Sequence, residues 1–66
     1  MVKGTVKWFN SNKGYGFIKQ KKGNDVFVHS SDIQGPDIMT LQEGQEVFLD
    51  VIEAPKGLKA ANVIKL

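Results

Sequence analysis

The chain has 66 residues, nine of them lysine and none arginine, against seven acidic side chains, one histidine and no cysteine, for a formal charge of +2. A chain this short holds one core, so a single domain over residues 1–66 is expected, with neither a disulfide framework nor a zinc cluster to staple it and no metal or cofactor implied. The opening Met1-Val2-Lys3-Gly4 is not the apolar stretch of a signal peptide, and no run approaches the roughly 20 apolar residues of a membrane helix, so a soluble cytoplasmic protein without a membrane partner is expected.

Val2 to Phe9 alternates Val2, Gly4 and Val6 against Lys3, Thr5 and Lys7 until the adjacent pair Trp8-Phe9 breaks the period, which predicts a strand with a bulge or strong twist near Trp8. Asn10 to Gly14 is rich in turn formers and reads as a loop. Tyr15–Lys19 and Asp25–His29 alternate with period two and are joined by the turn Lys21-Lys22-Gly23-Asn24. From Ser30 to Gly44 no period is sustained, and this long connection begins with a short helical turn at Ser31-Asp32-Ile33. Glu46 to Glu53 resumes alternation, with Val47, Leu49 and Val51 opposite Phe48, Asp50 and Ile52. Ala54-Pro55-Lys56-Gly57 then turns into a last strand from Leu58 to Ile64. The pattern predicts an all-β chain, a small five-stranded antiparallel barrel of the oligonucleotide-binding type. An SH3-like barrel is the nearest alternative, although it would carry its recognition aromatics in loops and not in mid-strand.

The second and third strands pose a conflict. Period two puts Ile18, Val26 and Val28 on one face and Tyr15, Phe17, Phe27 and His29 on the other, so both faces carry large side chains. The aliphatic face is the core side, because the aromatic face also bears Lys19, Asp25 and His29, which are costly to bury unpaired. The rings then look outward, on a surface bordered by lysine. Stacking on the bases of a single strand needs flat rings, and holding its phosphates needs cations. Lys3, Lys7, Lys13, Lys19, Lys21 and Lys22 precede any acidic residue, whereas Glu43, Glu46, Asp50 and Glu53 gather in the second half, which suggests one basic and one acidic face. With lysine alone, bidentate arginine readout of guanine in a duplex is unavailable.

Lys13-Gly14-Tyr15-Gly16-Phe17-Ile18 resembles the first part of the ribonucleoprotein motif, where Gly16 would keep the surface low between Tyr15 and Phe17; a bend in a barrel strand is the plainer use of the same glycines. It is not a dinucleotide fingerprint, since Lys19 stands where the third glycine belongs. Pairing through the Lys21–Asn24 turn sets Phe27 beside Phe17. Trp8 suits either a core or a stacking position, and Lys7 next to it favours stacking. An acid–base pair of Asp25 and His29 is excluded by roughly 13 Å of extended strand. Ser30 and Ser31 are chain neighbours of His29, not residues positioned by the fold to meet its imidazole, so no enzyme activity is expected.

Taken together, Gly4-Thr5-Val6-Lys7-Trp8-Phe9-Asn10, Lys13 to Ile18, Asp25-Val26-Phe27-Val28-His29, Leu41 with Glu43-Gly44-Gln45, and Ala60-Ala61-Asn62-Val63 resemble a bacterial cold-shock protein over essentially the whole chain. The resemblance implies a five-stranded barrel that binds single-stranded RNA and DNA as a monomer and acts as an RNA chaperone and regulator of transcription or translation. It assigns base stacking to Trp8, Phe17, Phe27 and His29, with Phe9 and Tyr15 beside them. Lys7 and Lys13 meet the backbone or base edges, and Asp25 makes a polar base contact. The chain departs from the family pattern at Ser30 and Ile38, where rings are usual, and at Gly57-Leu58-Lys59, where Gly-Pro-Gln is usual. Ile38 and Leu58 then offer apolar contact, and Lys56 and Lys59 add charge. The alternative function is a barrel that binds a protein or peptide through its exposed rings. Phe48, predicted to point outward away from the main platform, is either a partner surface or a tolerated ring.

Overall fold

Period-two alternation produces five strands in the computed structural model, which describes residues 1–34 and 41–66. They are β1 (Val2–Asn10), β2 (Tyr15–Gln20), β3 (Val26–His29), β4 (Glu46–Ala54) and β5 (Gly57–Lys65), with one 3₁₀ turn, Ser30–Asp32, directly after β3. The strands close into a barrel in the order β1-β2-β3-β5-β4. Four of the five seams are antiparallel, but β3 and β5 run parallel. The expected five-stranded barrel is thus present, mainly antiparallel, and its one parallel seam has a geometric reason: directions cannot alternate all the way around a closed ring with an odd number of members.

Inward-pointing side chains fill the barrel. Val6, Ile18 and Val26 lie in one lateral row across β1, β2 and β3, and with Val28, Ile33, Leu41, Val47, Leu49, Ala60 and Val63 they form the buried core. Val2 shares the parity of Gly4 and Val6 yet is exposed. Among the described residues no helix is long and apolar enough to cross a membrane.

Two irregularities aim the outer surface. On β1, Val6 pairs with Ile18 and Trp8 with Phe17, so Lys7 is an extra residue. The bulge turns Lys7 and Trp8 outward together, which plain alternation forbids. On β5, Ile64 pairs with Phe48 but Ala61 with Asp50, leaving an extra residue near Asn62, whose φ is 52°. Asparagine tolerates this left-handed conformation better than most residues. Its side chain is clamped on both sides: Nδ2 donates to Asp50 Oδ2 at 2.9 Å, and Oδ1 accepts from Gln34 Nε2 at 2.8 Å. The loop after β1 is held by Asn10, whose Oδ1 accepts from Lys13 N at 3.0 Å and whose carbonyl accepts from Gly14 N at 2.7 Å. Gly14 adopts a φ of 76° there, and its carbonyl accepts from Ser30 N at 2.8 Å, tying this loop to the end of β3.

Candidate nucleic-acid interface

Register alone lines up a row across the barrel. Trp8 on β1 faces Phe17 on β2, Phe17 faces Phe27 on β3, and Phe27 faces Lys59 on β5. Tyr15, one outward position along β2, completes a cluster of four rings. Trp8 lies 5.4 Å from Phe17 and 5.6 Å from Tyr15 between centroids, and Phe27 lies 5.7 Å from Phe17 and 5.9 Å from Tyr15. Three of the four contacts are tilted or edge-on and one, Tyr15–Phe27, is nearly parallel at 27°. Edge-to-face contacts hold rings in fixed orientations while leaving faces open. Trp8 is 38% exposed, and Tyr15, Phe17 and Phe27 are half-buried.

Beside this row a groove of about 350 Å³ is lined by Phe17, Asp25, Phe27, Lys56, Leu58 and Lys59, together with Ala54 and Gly57 of the β4–β5 turn. Six residues singled out from the sequence therefore meet in one depression. Lys13 is exposed on the β1–β2 loop. Ile38 lies outside the described residues.

Several site residues are engaged in ways the sequence did not foretell. Lys7 Nζ is 2.8 Å from Asp25 Oδ2, so the two groups share their charge across the face of β2. Both are partly exposed, and such pairs contribute only about 0–1 kcal/mol. Phe9 is half-buried and packs against the core, on the inward side of β1 and not among the outward rings. Gly16 does not lower the outer surface. It is buried, and a Cβ there would strike the Trp8 carbonyl oxygen and lie 2.7 Å from Phe9 Cα, so the glycine lets β2 approach the bulged backbone of β1.

His29 is the N-cap of the 3₁₀ turn. Its Nδ1 accepts from Ser31 N at 3.1 Å and lies 3.0 Å from Ser31 Oγ, while Asp32 Oδ2 accepts from His29 N at 3.2 Å. Ser31 thus does meet the imidazole, contrary to the expectation from chain adjacency, and it does so within a helix cap that Asp32 reciprocates. Nδ1 acting as acceptor puts the ring proton of the neutral form on Nε2. The only sequence signal for the cap was Asp32 three positions after His29, which a serine or threonine at the cap would have made conspicuous. Among the described residues, no three His, Cys, Asp or Glu side chains converge on a metal position.

A closed five-stranded barrel with rings and lysines gathered on one outer face defines a nucleic-acid-binding β-barrel. Residues 2–66 match the family described as the 'Cold-shock' DNA-binding domain, and the chain belongs to that family. It is similar to cold shock protein CspB of Bacillus caldolyticus, 54% identical over 66 residues that span both chains completely. It is 53% identical to cold shock protein CspB of Geobacillus stearothermophilus, again over the whole of both. The major cold shock protein of Streptococcus pyogenes is 53% identical over all of this chain and 98% of its own length.

Proposed function

We propose that this protein binds single-stranded RNA and DNA with low sequence specificity, as a cytoplasmic monomer that works as an RNA chaperone and regulator of transcription or translation. The observation that carries this reading is the lateral row Trp8, Phe17, Phe27, in which three adjacent strands each contribute one outward ring. Successive bases stack on Trp8, Phe17 and Phe27, with Tyr15 and the imidazole of His29 extending the surface. Every base has a π-face, so such a platform is tolerant of sequence. Lys13, Lys56 and Lys59 attract phosphates, and Leu58 supplies apolar contact in the groove. Asp25, whose Oδ2 is already held by Lys7, has Oδ1 to accept from a base N–H. Phe9 supports the platform from beneath. No cofactor takes part, and His29 has no catalytic role.

Chaperone action follows from differential affinity. A hairpin hides the faces of its bases within its stack, whereas the open form presents them, so the protein shifts the equilibrium toward open strands by the difference in its affinity for the two states. The test is a titration of Trp8 fluorescence with a pyrimidine heptamer and with the same heptamer in duplex form. Single strands are expected to bind far better, with log K falling against log salt at a slope of roughly −2, about −0.7 for each of three lysine–phosphate contacts. Equal affinity for strand and duplex, or no response to salt, would refute it.

A further inference from the structure

A second surface repeats the chemistry of the first. Below the ring row, β1 and β2 bound a concavity of about 440 Å³ lined by Lys3, Thr5, Lys19, Gln20, Lys21 and Glu46. Three ammonium groups against one carboxylate give this pocket a formal charge of +2, equal to that of the whole chain. Glu46 does not cancel the field at the other lysines, because its Oε2 is held 3.4 Å from Lys3 Nζ. Lys19 and Lys21 are exposed and, among the described residues, form no ion pair. Lys19 stands on the same outer face of β2 as Phe17, two residues or about 7 Å farther along the strand. Lys19 is therefore the next outward neighbour of Phe17 on its strand.

At the far side of the pocket, Lys3 pairs across the β1–β4 seam with Phe48. That ring is 38% exposed, as exposed as Trp8, while Val47 and Leu49 on either side of it are fully buried. The strand's alternation thus directs a phenylalanine into water next to a basic pocket, forgoing its burial. Ring and ammonium groups together suit a base and its phosphates, as they do on the main platform.

We propose that Lys3, Lys19, Lys21 and Phe48 form a second contact region for the same nucleic-acid strand, resting on the reading given under Proposed function. A strand long enough to leave the ring row at Phe17 lays its phosphates over Lys19 and Lys21 and stacks a base on Phe48. Short strands occupy the rings alone. The site is indifferent to sequence and adds affinity and salt dependence only as the strand lengthens.

Titrations with a thymidine hexamer and a thymidine dodecamer, followed by Trp8 fluorescence, separate the two regions. Phe48→Ala and the double variant Lys19→Gln/Lys21→Gln alter exposed side chains, and circular dichroism checks their folding. Each variant is compared with the parent at the same length, so extra binding registers on the longer strand cancel. The hexamer is expected to bind both variants as it binds the parent. For the dodecamer, Phe48→Ala should weaken binding by about fivefold or more, and the double variant should lower the salt slope by about 1.4. Losses that are the same at both lengths would overturn the proposal, showing only a general field of the lysines. An unchanged dodecamer affinity in Phe48→Ala would also overturn it, leaving Phe48 and its cross-strand neighbour Ile64 as a face for a polypeptide. In either case hexamer binding by the parent keeps the primary reading intact, whereas a parent that binds neither strand would overturn both.

Discussion

Phe27 and Val28 are consecutive residues on β3 that point to opposite sides of the barrel wall, so truncating each in turn separates binding from stability. Val28 is completely buried within the core cluster. Val28→Ala removes two methyl groups, worth about 1.6 kcal/mol at roughly 0.8 kcal/mol each, and leaves a cavity that adds on the order of 0.8 kcal/mol. The total of about 2.5 kcal/mol corresponds to a fall in melting temperature of roughly 10–20 °C for a domain of this size. Its outer face is unaltered, so oligonucleotide affinity measured well below the transition should match the parent. Phe27→Ala removes the centre of the ring row. The loss of one stacked base should weaken binding by about 1–3 kcal/mol, or about 5- to 150-fold. It also deletes the contacts to Phe17 and Tyr15, at 5.7 and 5.9 Å, and with the ring half-exposed this costs about 1 kcal/mol of stability. Thermal melts and fluorescence titrations of both proteins decide the matter. If Val28→Ala loses affinity as severely as Phe27→Ala while folded, or melts higher than Phe27→Ala, the assignment of faces is wrong.

Two further substitutions probe how the platform is built. Gly16→Ala would force its new methyl against the β1 backbone at Trp8 and Phe9, so β1 and β2 must part; a destabilisation of about 1–3 kcal/mol, visible as a melting temperature lower by roughly 5–20 °C, is expected together with weaker heptamer binding. A Gly16→Ala protein that melts like the parent would show that the strands have room to spare. Asp25→Asn removes the carboxylate that holds Lys7 at 2.8 Å and frees its ammonium for a phosphate, so the salt slope for the heptamer should steepen by about 0.7 while stability changes by less than about 1 kcal/mol. An unchanged slope would mean that Lys7 never reaches the backbone.

Much of the fold could be read directly because its signals are local. Strand positions, the bulge near Trp8, the 3₁₀ turn after β3 and the outward rings of β2 and β3 all follow from side-chain period and turn chemistry within a few residues. What escaped depends on residues distant in the chain. The Lys7–Asp25 pair needs the register of three strands plus the bulge, and the place of Lys59 beside Phe27 needs the closing parallel seam. The parallel seam itself was open to deduction, since five strands in a closed ring demand at least one. The packing of Phe9 against the core is not legible locally, because the pair Trp8-Phe9 reveals a bulge but not which of the two the bulge turns inward. His29 as a cap was missed because histidine is an uncommon N-cap, although Asp32 stood at the spacing of a capping box. The use of Gly16 depends on the approach of another strand, which no single-strand pattern records.

The seam between β3 and β5 is the thinnest joint of the barrel. Among the described residues its two strands pair only at Phe27 and Lys59, and the wall is next fastened at the bridge of Ile33 with Val63, where Gln34 N donates to the Val63 carbonyl at 2.7 Å. Like a cask with one pair of staves fastened at few points, the barrel has its fewest strand pairings there among the described residues, and local stability follows the local density of contacts. The ring row and the groove run straight across that joint, with Phe17 and Phe27 on one side and Leu58 and Lys59 on the other. On the proposed reading, a strand seated in the groove would act as an external hoop, bridging the two staves that pair least among the described residues, and the occupied protein would be a tighter vessel than the empty one.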